Sequence, residues 1–224
     1  PSNGFIYMSV DFTGGSVPSA VTWYQILNKD VLVHGFDDVQ KHPTKALKAG
    51  TRVAFDEIYV AEIGNTQLAD MVVQREKEWK EKLPDWKVKL RFYDPANKAS
   101  LHDWNYHKPR LPLHFYCTRD IRQQIKTCNQ VLREDLFAVD VIRCKMMPKE
   151  FDAYHYPDKK DGQVDEPDIP VKDFDHTMSN FRYFIENIKY LERKKTTSSM
   201  PVASDPRYVS KSPVKSSAPR YLTR

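Results

Sequence analysis

The stretch Phe5-Ile6-Tyr7-Met8-Ser9-Val10-Asp11-Phe12-Thr13-Gly14-Gly15 decides how the chain is read. Residues 5–10 are almost continuously apolar and read as a buried strand, and the glycine pair reads as the turn that ends it. Asp11 then stands at the carboxyl end of a strand, where α/β sheets present groups to ligands. A second stretch repeats the arrangement. Lys87–Tyr93 is a strand that delivers Asp94, and Pro95 holds that acid in an extended approach. A third acid, Asp175, lies in Lys172-Asp-Phe-Asp-His176, where a helix begins. Two carboxylates at strand tips and one at a helix start can converge. Three converging carboxylates suit hard divalent cations such as Mg²⁺ or Mn²⁺.

Working outward from these points, residues 20–27 and 31–36 read as strands with a hairpin at Asn28-Lys-Asp30. Residues 37–51 are polar and poorly periodic, and are expected to form an exposed insertion. Arg52–Ala61 is a further strand. Thr66 caps a helix running to about Leu83 with Leu68, Met71, Val72 and Trp79 on one face. A polar stretch carrying Pro109 and Pro112 precedes a helix capped by Thr118 or Asp120, with Ile121, Ile125, Cys128 and Leu132 as its apolar face. Phe137–Ile142 reads as a strand and Lys149–Tyr156 as a short helix. The last helix opens at Asp175 and turns Met178, Phe181, Tyr183, Phe184 and Ile188 mostly inward. Strands first, then a βαβ-like unit, then helices predict an α/β domain with a mixed central sheet flanked by helices.

Composition narrows the class. A chain of 224 residues with 40% apolar and 12% aromatic residues can build a real core. No apolar run approaches the roughly 18–20 residues of a membrane helix. The opening Pro1-Ser-Asn-Gly lacks a basic leader, so the expectation is a cytoplasmic protein, and a piece of a longer one. Cys117, Cys128 and Cys144 form neither a disulfide framework nor a zinc knuckle. The net charge of +5 is unevenly placed: residues 193–224 hold eight basic residues and one acid, which leaves residues 1–192 with 27 basic and 29 acidic. The expected division is therefore a near-neutral domain over 1–192 and a disordered basic Ser/Pro/Lys tail over 193–224. The tail can contact DNA phosphates, dock on a partner, or act as a solubilising end.

Around the acids, His176 is a further candidate metal ligand, and Glu57 or Asp56 a candidate accessory carboxylate. Asp175 has a competing use, because an Asp before a helix is a favoured N-cap. Lys172 and Arg182 flank the last helix and are candidate phosphate contacts. No G-x-x-x-x-G-K-S/T loop is present, so ATP hydrolysis by this chain alone is not expected. Seven glycines in 224 residues also argue against a sugar-kinase or actin-like ATPase, which needs a second Gly-rich phosphate loop.

The segments Val10-Asp11-Phe-Thr-Gly14, Phe55-Asp-Glu-Ile-Tyr59, Gly64-Asn-Thr66, Phe92-Tyr-Asp94-Pro-Ala96 and Glu150-Phe-Asp-Ala-Tyr154 carry a family resemblance. So does Pro170-Val-Lys-Asp-Phe-Asp175-His176-Thr-Met178 with Arg182-Tyr183. Over about residues 5–190 the chain resembles the C-terminal nuclease domain of the large terminase subunit of tailed bacteriophages, which is ribonuclease H-like. The last segment is similar to that family's Asp-His-Ala-Met-Asp-Ala-Leu-Arg-Tyr signature. The resemblance implies a metal-dependent endonuclease that cuts concatemeric viral DNA during genome packaging, by headful or cohesive-end cleavage. It implies two Mg²⁺ or Mn²⁺ ions on Asp11, Asp94 and the Asp175-His176 pair, with Asp11, Asp94 and Asp175 as the catalytic acids. The implied partners are double-stranded DNA, an N-terminal ATPase domain of the same protein, the portal protein and the small terminase subunit, in the cytoplasm of an infected bacterial host. The chain departs from the signature at Ser179, where the family has a second Asp. That departure sustains an alternative: a catalytically weak or inactive nuclease-like clamp or docking module of the packaging motor.

Overall fold

The computed structural model describes residues 4–13, 15–34, 44–94, 96–116, 118–157, 170–171 and 174–198. Five strands form a mixed sheet: β1 (Gly4–Asp11), β2 (Ser19–Leu27), β5 (Arg52–Val60), β6 (Val88–Tyr93) and β7 (Phe137–Val139), in the order β6-β1-β2-β5-β7. β2 runs antiparallel to both β1 and β5, whereas β6 lies parallel to β1 and β7 parallel to β5. This is the ribonuclease H-like α/β arrangement expected from the sequence. A separate hairpin pairs β3 (Val31–His34) with β4 (Thr44–Leu47), so part of the expected insertion is a strand.

The alternating pleat divides the core between the two faces of the sheet. Ile6, Met8 and Val10 point to the face covered by α1 (Asn65–Lys82) and α2 (Lys98–His107), where they meet Leu68, Val72, Trp79 and Trp104. Tyr7, Tyr24 and Phe92 point to the face covered by α3 (Ile121–Arg133), α4 (Met146–Ala153) and α5 (His176–Ser198). Asp11 shares the parity of Tyr7 and so belongs to the second face.

Two register shifts reassign faces. Ile6 pairs with Val88 and Tyr7 with Leu90, so Lys89 is an extra residue in β6. Beyond it Leu90, Phe92 and then Asp94 align with the face that carries Tyr7. In β5, Trp23 pairs with Asp56 and Tyr24 with Ala54, leaving Phe55 extra. Phe55 and Asp56 consequently both turn to α1, and Glu57 turns to α4.

Several sequence expectations are corrected. α2 lies where a polar stretch was expected; Asn97 caps it through Ser100 N (3.1 Å), and the Trp104 indole donates to Leu111 O (2.8 Å). β7 stops at Val139 because Asp140 turns the chain, its Oδ1 accepting the Ile142 amide (3.0 Å). α4 starts at Met146, three residues earlier than expected. α3 buries Gln124, Thr127, Cys128 and Val131 and leaves Leu132 outside; Gln124 can face inward because its amide donates to Thr118 O (2.9 Å). The expected boundary at 192 falls inside α5, which continues to Ser198. Arg193, Lys194 and Lys195 suit the carboxyl end of a helix, whose dipole favours cations. Residues 199–224, most of the expected tail, lie outside the described residues. Among the described residues no helix is long and apolar enough to cross a membrane.

Asp56 pins α1 to the sheet from a fully buried position. It accepts Arg75 Nη1 (2.6 Å) and Trp79 Nε1 (2.6 Å). Asp56→Ala would strand a buried indole N–H and remove the carboxylate that Arg75 pairs with. It should lower unfolding free energy by about 2–4 kcal/mol. Glu78→Ala, which removes the exposed partner of the same arginine, should cost less than about 1 kcal/mol. Urea denaturation of both variants checks the contrast, and equal losses would disprove it.

Candidate functional site

β1 and β6 are neighbours and parallel, with Val10 opposite Tyr93, so the next residues, Asp11 and Asp94, leave the sheet side by side. The turns behind them are tied together by Asn97 Nδ2, which donates to Phe12 O (3.3 Å). Asp94 Oδ1 accepts the Ala96 amide (2.8 Å), fixing its carboxylate at the strand tip. Gly15, at φ 65°, completes the turn after Asp11, and its carbonyl receives the Glu62 amide (2.9 Å).

The third element arrives from α5. The Asp175 carbonyl accepts Ser179 N (2.7 Å), which makes Asp175 the N-cap position. Phe174, immediately before it, is exposed and at φ 50°, a left-handed conformation that a bulky residue adopts only under constraint. Asp175 and His176 thereby reach the mouth of an open cleft of about 220 Å³ that Asp11, Asp94, Thr13, Gln124, Ser179 and Tyr183 also line. Four of the sequence candidates, Asp11, Asp94, Asp175 and His176, line this one space.

His176 Nδ1 lies 3.1 Å from Asp11 Oδ2, joining α5 to β1. Burial pushes the Asp11 carboxyl up to about 6; His176 opposes the rise, and the charges of Asp94 and Asp175 add to it. Burial disfavours charge on His176, but contact with Asp11 and the charges of Glu150 and Asp175 outweigh it, so its pKa rises above the ordinary value. Burial, then the charges of Asp11 and Asp94, push the Tyr183 hydroxyl above its ordinary range. Tyr183 belongs to the cleft, whereas its sequence pattern marked it only as an inward apolar position.

Oxygen donors from three carboxylates fit a hard divalent ion in kind, and the charge that Asp11 receives from the other two places them within mutual influence. Among the described residues, no three His, Cys, Asp or Glu side chains are gathered tightly enough to ligate one ion.

The remaining candidates have other partners. Glu57 does not line the cleft: its two oxygens accept Met146 N (2.5 Å) and Met147 N (3.2 Å), so it caps α4. Its carboxyl is raised by burial, against the pull of those amides. Asp56 faces α1, as described. Arg182 lines the cleft as a buried group. It donates to Ser179 Oγ (2.9 Å) and Tyr154 OH (2.7 Å) and stands 3.8 Å from Asp175. Lys172 lies outside the described residues.

Sequence reasoning did not mark Glu150. This α4 residue is 1% exposed, and its Oε2 accepts Thr177 N (2.6 Å), Thr177 Oγ1 (2.6 Å) and Met178 N (3.3 Å). Its only outward sign was its place beside Phe151 in one of the resembling segments.

The mixed five-stranded sheet with helices on both faces is a ribonuclease H-like fold. Among solved structures it is similar to the g2p large-terminase nuclease domain of bacteriophage SPP1 with bound Mn (TM-score 0.54, 18% identity, 85% of this chain and 86% of that one). It is also similar to the nuclease domain of the P22 large terminase (TM-score 0.55, 14% identity, 85% of this chain and 84% of that one). The chain therefore has the fold of large-terminase nuclease domains. No protein-family model matches the sequence, and no curated protein sequence matches it significantly.

The raised acid makes stability depend on pH. Asp11 keeps its proton to about pH 6 in the folded chain but loses it near 4 when unfolded. Its contribution is fully present below about pH 4 and is lost as pH rises through about 6. His176, raised in the same sense, adds a loss at higher pH. In chelator, Asp11→Asn should therefore be more stable than the parent at pH 8, by about 1–2 kcal/mol after allowance for coupling to His176. The difference should shrink towards pH 5. Urea midpoints across that range test it, and a parent stability that does not fall from pH 5 to 8 would contradict it.

Proposed function

We propose that this chain is a divalent-metal-dependent endodeoxyribonuclease that cuts concatemeric double-stranded viral DNA during genome packaging. The observation that carries the reading is the meeting of Asp11, Asp94, Asp175 and His176 in one cleft on a terminase-nuclease fold. The bound Mn of the SPP1 domain supports a divalent ion as cofactor. In this reading Asp11, Asp94 and Asp175 hold Mg²⁺ or Mn²⁺, two ions in all, with His176 as a further ligand or as the group that orients Asp11. Ions bound there supply Lewis acidity to the scissile phosphate and to the attacking water.

The chain's own groups set the conditions. Asp11 must be ionised to ligate, so binding competes with its proton up to about pH 6. His176, at 3.1 Å, holds that carboxylate in one orientation. Gln124 and Tyr183 line the cleft and can donate hydrogen bonds to a phosphate or to water. The proposed partners are an N-terminal ATPase domain of the same protein, the portal protein and the small terminase subunit, with action in the cytoplasm of an infected bacterium. Phosphate contact by Lys172 and by the basic segment 193–224 is part of the same proposal.

One observation favours a second reading. Ser179, at the position of the family's second acid, lines the cleft and accepts from Arg182, so that corner carries no carboxylate. A DNA clamp or docking module without cleavage follows if the remaining acids do not suffice. Supercoiled plasmid incubated with Mn²⁺ or Mg²⁺ separates the two. Nicking that falls at least about 100-fold in Asp11→Ala and in Asp94→Ala supports the nuclease. DNA binding without nicking, across both metals and from pH 6 to 9, supports the clamp.

A further inference from the structure

A helix N-cap carboxylate ordinarily accepts from the amides two or three residues beyond it. For Asp175 these are the amides of Thr177 and Met178, and Glu150 Oε2 takes both from the side, along with Thr177 Oγ1. Glu150 is fully buried in α4, and α4 is itself capped by Glu57 from the sheet. A chain of caps thus runs from β5 through α4 to the start of α5. We infer that Glu150 is a positioning residue: it performs the capping that Asp175 would otherwise perform, and so releases the Asp175 carboxylate to the cleft. The metal-ligand role of Asp175 rests on the function proposed above, whereas the exchange of caps does not.

The geometry explains why a carboxylate is retained at a site so far from solvent. Glu150 Oε2 faces the positive end of α5 and three donors, which offset the cost of burying its charge. Its Oε1 and the Tyr59 hydroxyl are both buried, with no partner among the described residues other than the contact Tyr59 makes with Glu150. Burial, and then the charge of Glu150, push the Tyr59 hydroxyl above its ordinary range, so the two groups sit close. Tyr59 also stands by His176, with ring centroids 6.0 Å apart. Without Glu150, Asp175 stands at the N-cap position, from which a carboxylate ordinarily reaches the Thr177 and Met178 amides.

The test compares Glu150→Ala, Glu150→Gln, Asp175→Ala and the double variant Glu150→Ala/Asp175→Ala. Mn²⁺ affinity of the DNA-free protein, measured by electron paramagnetic resonance, should fall about 10–100-fold in Glu150→Ala. Glu150→Gln keeps an oxygen at the amides and should stay within a few-fold of the parent (~3-fold). In chelator, Asp175→Ala should lower the urea midpoint of Glu150→Ala by more than it lowers the parent's, because the parent loses only the charge beside Arg182 whereas Glu150→Ala also loses the cap. Additive midpoints, or unchanged Mn²⁺ affinity in Glu150→Ala, overturn the inference. A parent that binds no Mn²⁺ overturns the metal reading, and the chelator cycle still decides the exchange of caps. If Glu150→Ala does not fold, hydrogen exchange in Asp175→Ala decides the matter instead. Protection retained at Thr177 and Met178 supports Glu150 as the cap, and protection lost there refutes it.

Discussion

The structure depends on burying α5 along its whole first half. From Thr177 to Ile188 every residue is buried, between the sheet on one side and α3 and α4 on the other. An all-round buried helix is usually apolar, yet this one carries Thr177, Ser179, Asn180, Arg182, Glu186 and Asn187 in that stretch. Their partners act as a register. Asn180 Nδ2 donates to Ala20 O (3.0 Å) at the start of β2, and Asn187 Oδ1 accepts the Tyr116 amide (2.7 Å) beyond the β6 edge. A rotation or slide of α5 by one residue would break these bonds and bury their donors unpaired, at a cost of a few kcal/mol (about 1–3 each). The start of the helix is therefore fixed, and with it the place of Asp175 and His176 opposite Asp11.

The strand acids are positioned by a different device. Val88 faces the α1 side, and strict alternation from it would turn Asp94 to that side as well, away from Asp11 and α5. The extra residue Lys89 reverses the parity, so Leu90, Phe92 and Asp94 face α5. The extra Phe55 in β5 splits Asp56 from Glu57 in the same way. One acid then fastens α1, while its neighbour fastens α4.

These devices mark the boundary of what the sequence discloses. The strand ends at Asp11 and Asp94 were legible because apolar runs stop abruptly at turn residues, and the α5 start was legible from its acid and the apolar positions after it. Neither bulge leaves a local sign, so Glu57, next in the chain to a strand acid, looked equivalent to the cleft carboxylates. α2 was hidden because its inward face rests on Trp104 and partly buried Leu101, too few positions to show a helical period. Glu150 was hidden for a more general reason. A buried carboxylate whose partners are backbone amides of another helix has no sequence complement to find, since amides belong to every residue.

Ser179 completes the distribution of charge in the cleft. Arg182 donates to two neutral oxygens, Ser179 Oγ and Tyr154 OH, and neither cancels its charge. The nearby acid is Asp175 at 3.8 Å. An acid at 179 would pair directly with Arg182; with serine there, the guanidinium charge acts on Asp175. The cleft thus opposes three carboxylates with one buried arginine and, when it is protonated, with His176. For the proposed chemistry this lowers the negative charge available to cations on the α5 side and leaves it undiminished at Asp94, on the strand side. Ion binding would accordingly be uneven, tighter against Asp94 and weaker towards Asp175. A carboxylate also spent on capping the helix would weaken that side further. The buried Glu150 and the serine at 179 are therefore linked: the fewer acids α5 contributes, the more each depends on being kept out of the helix cap.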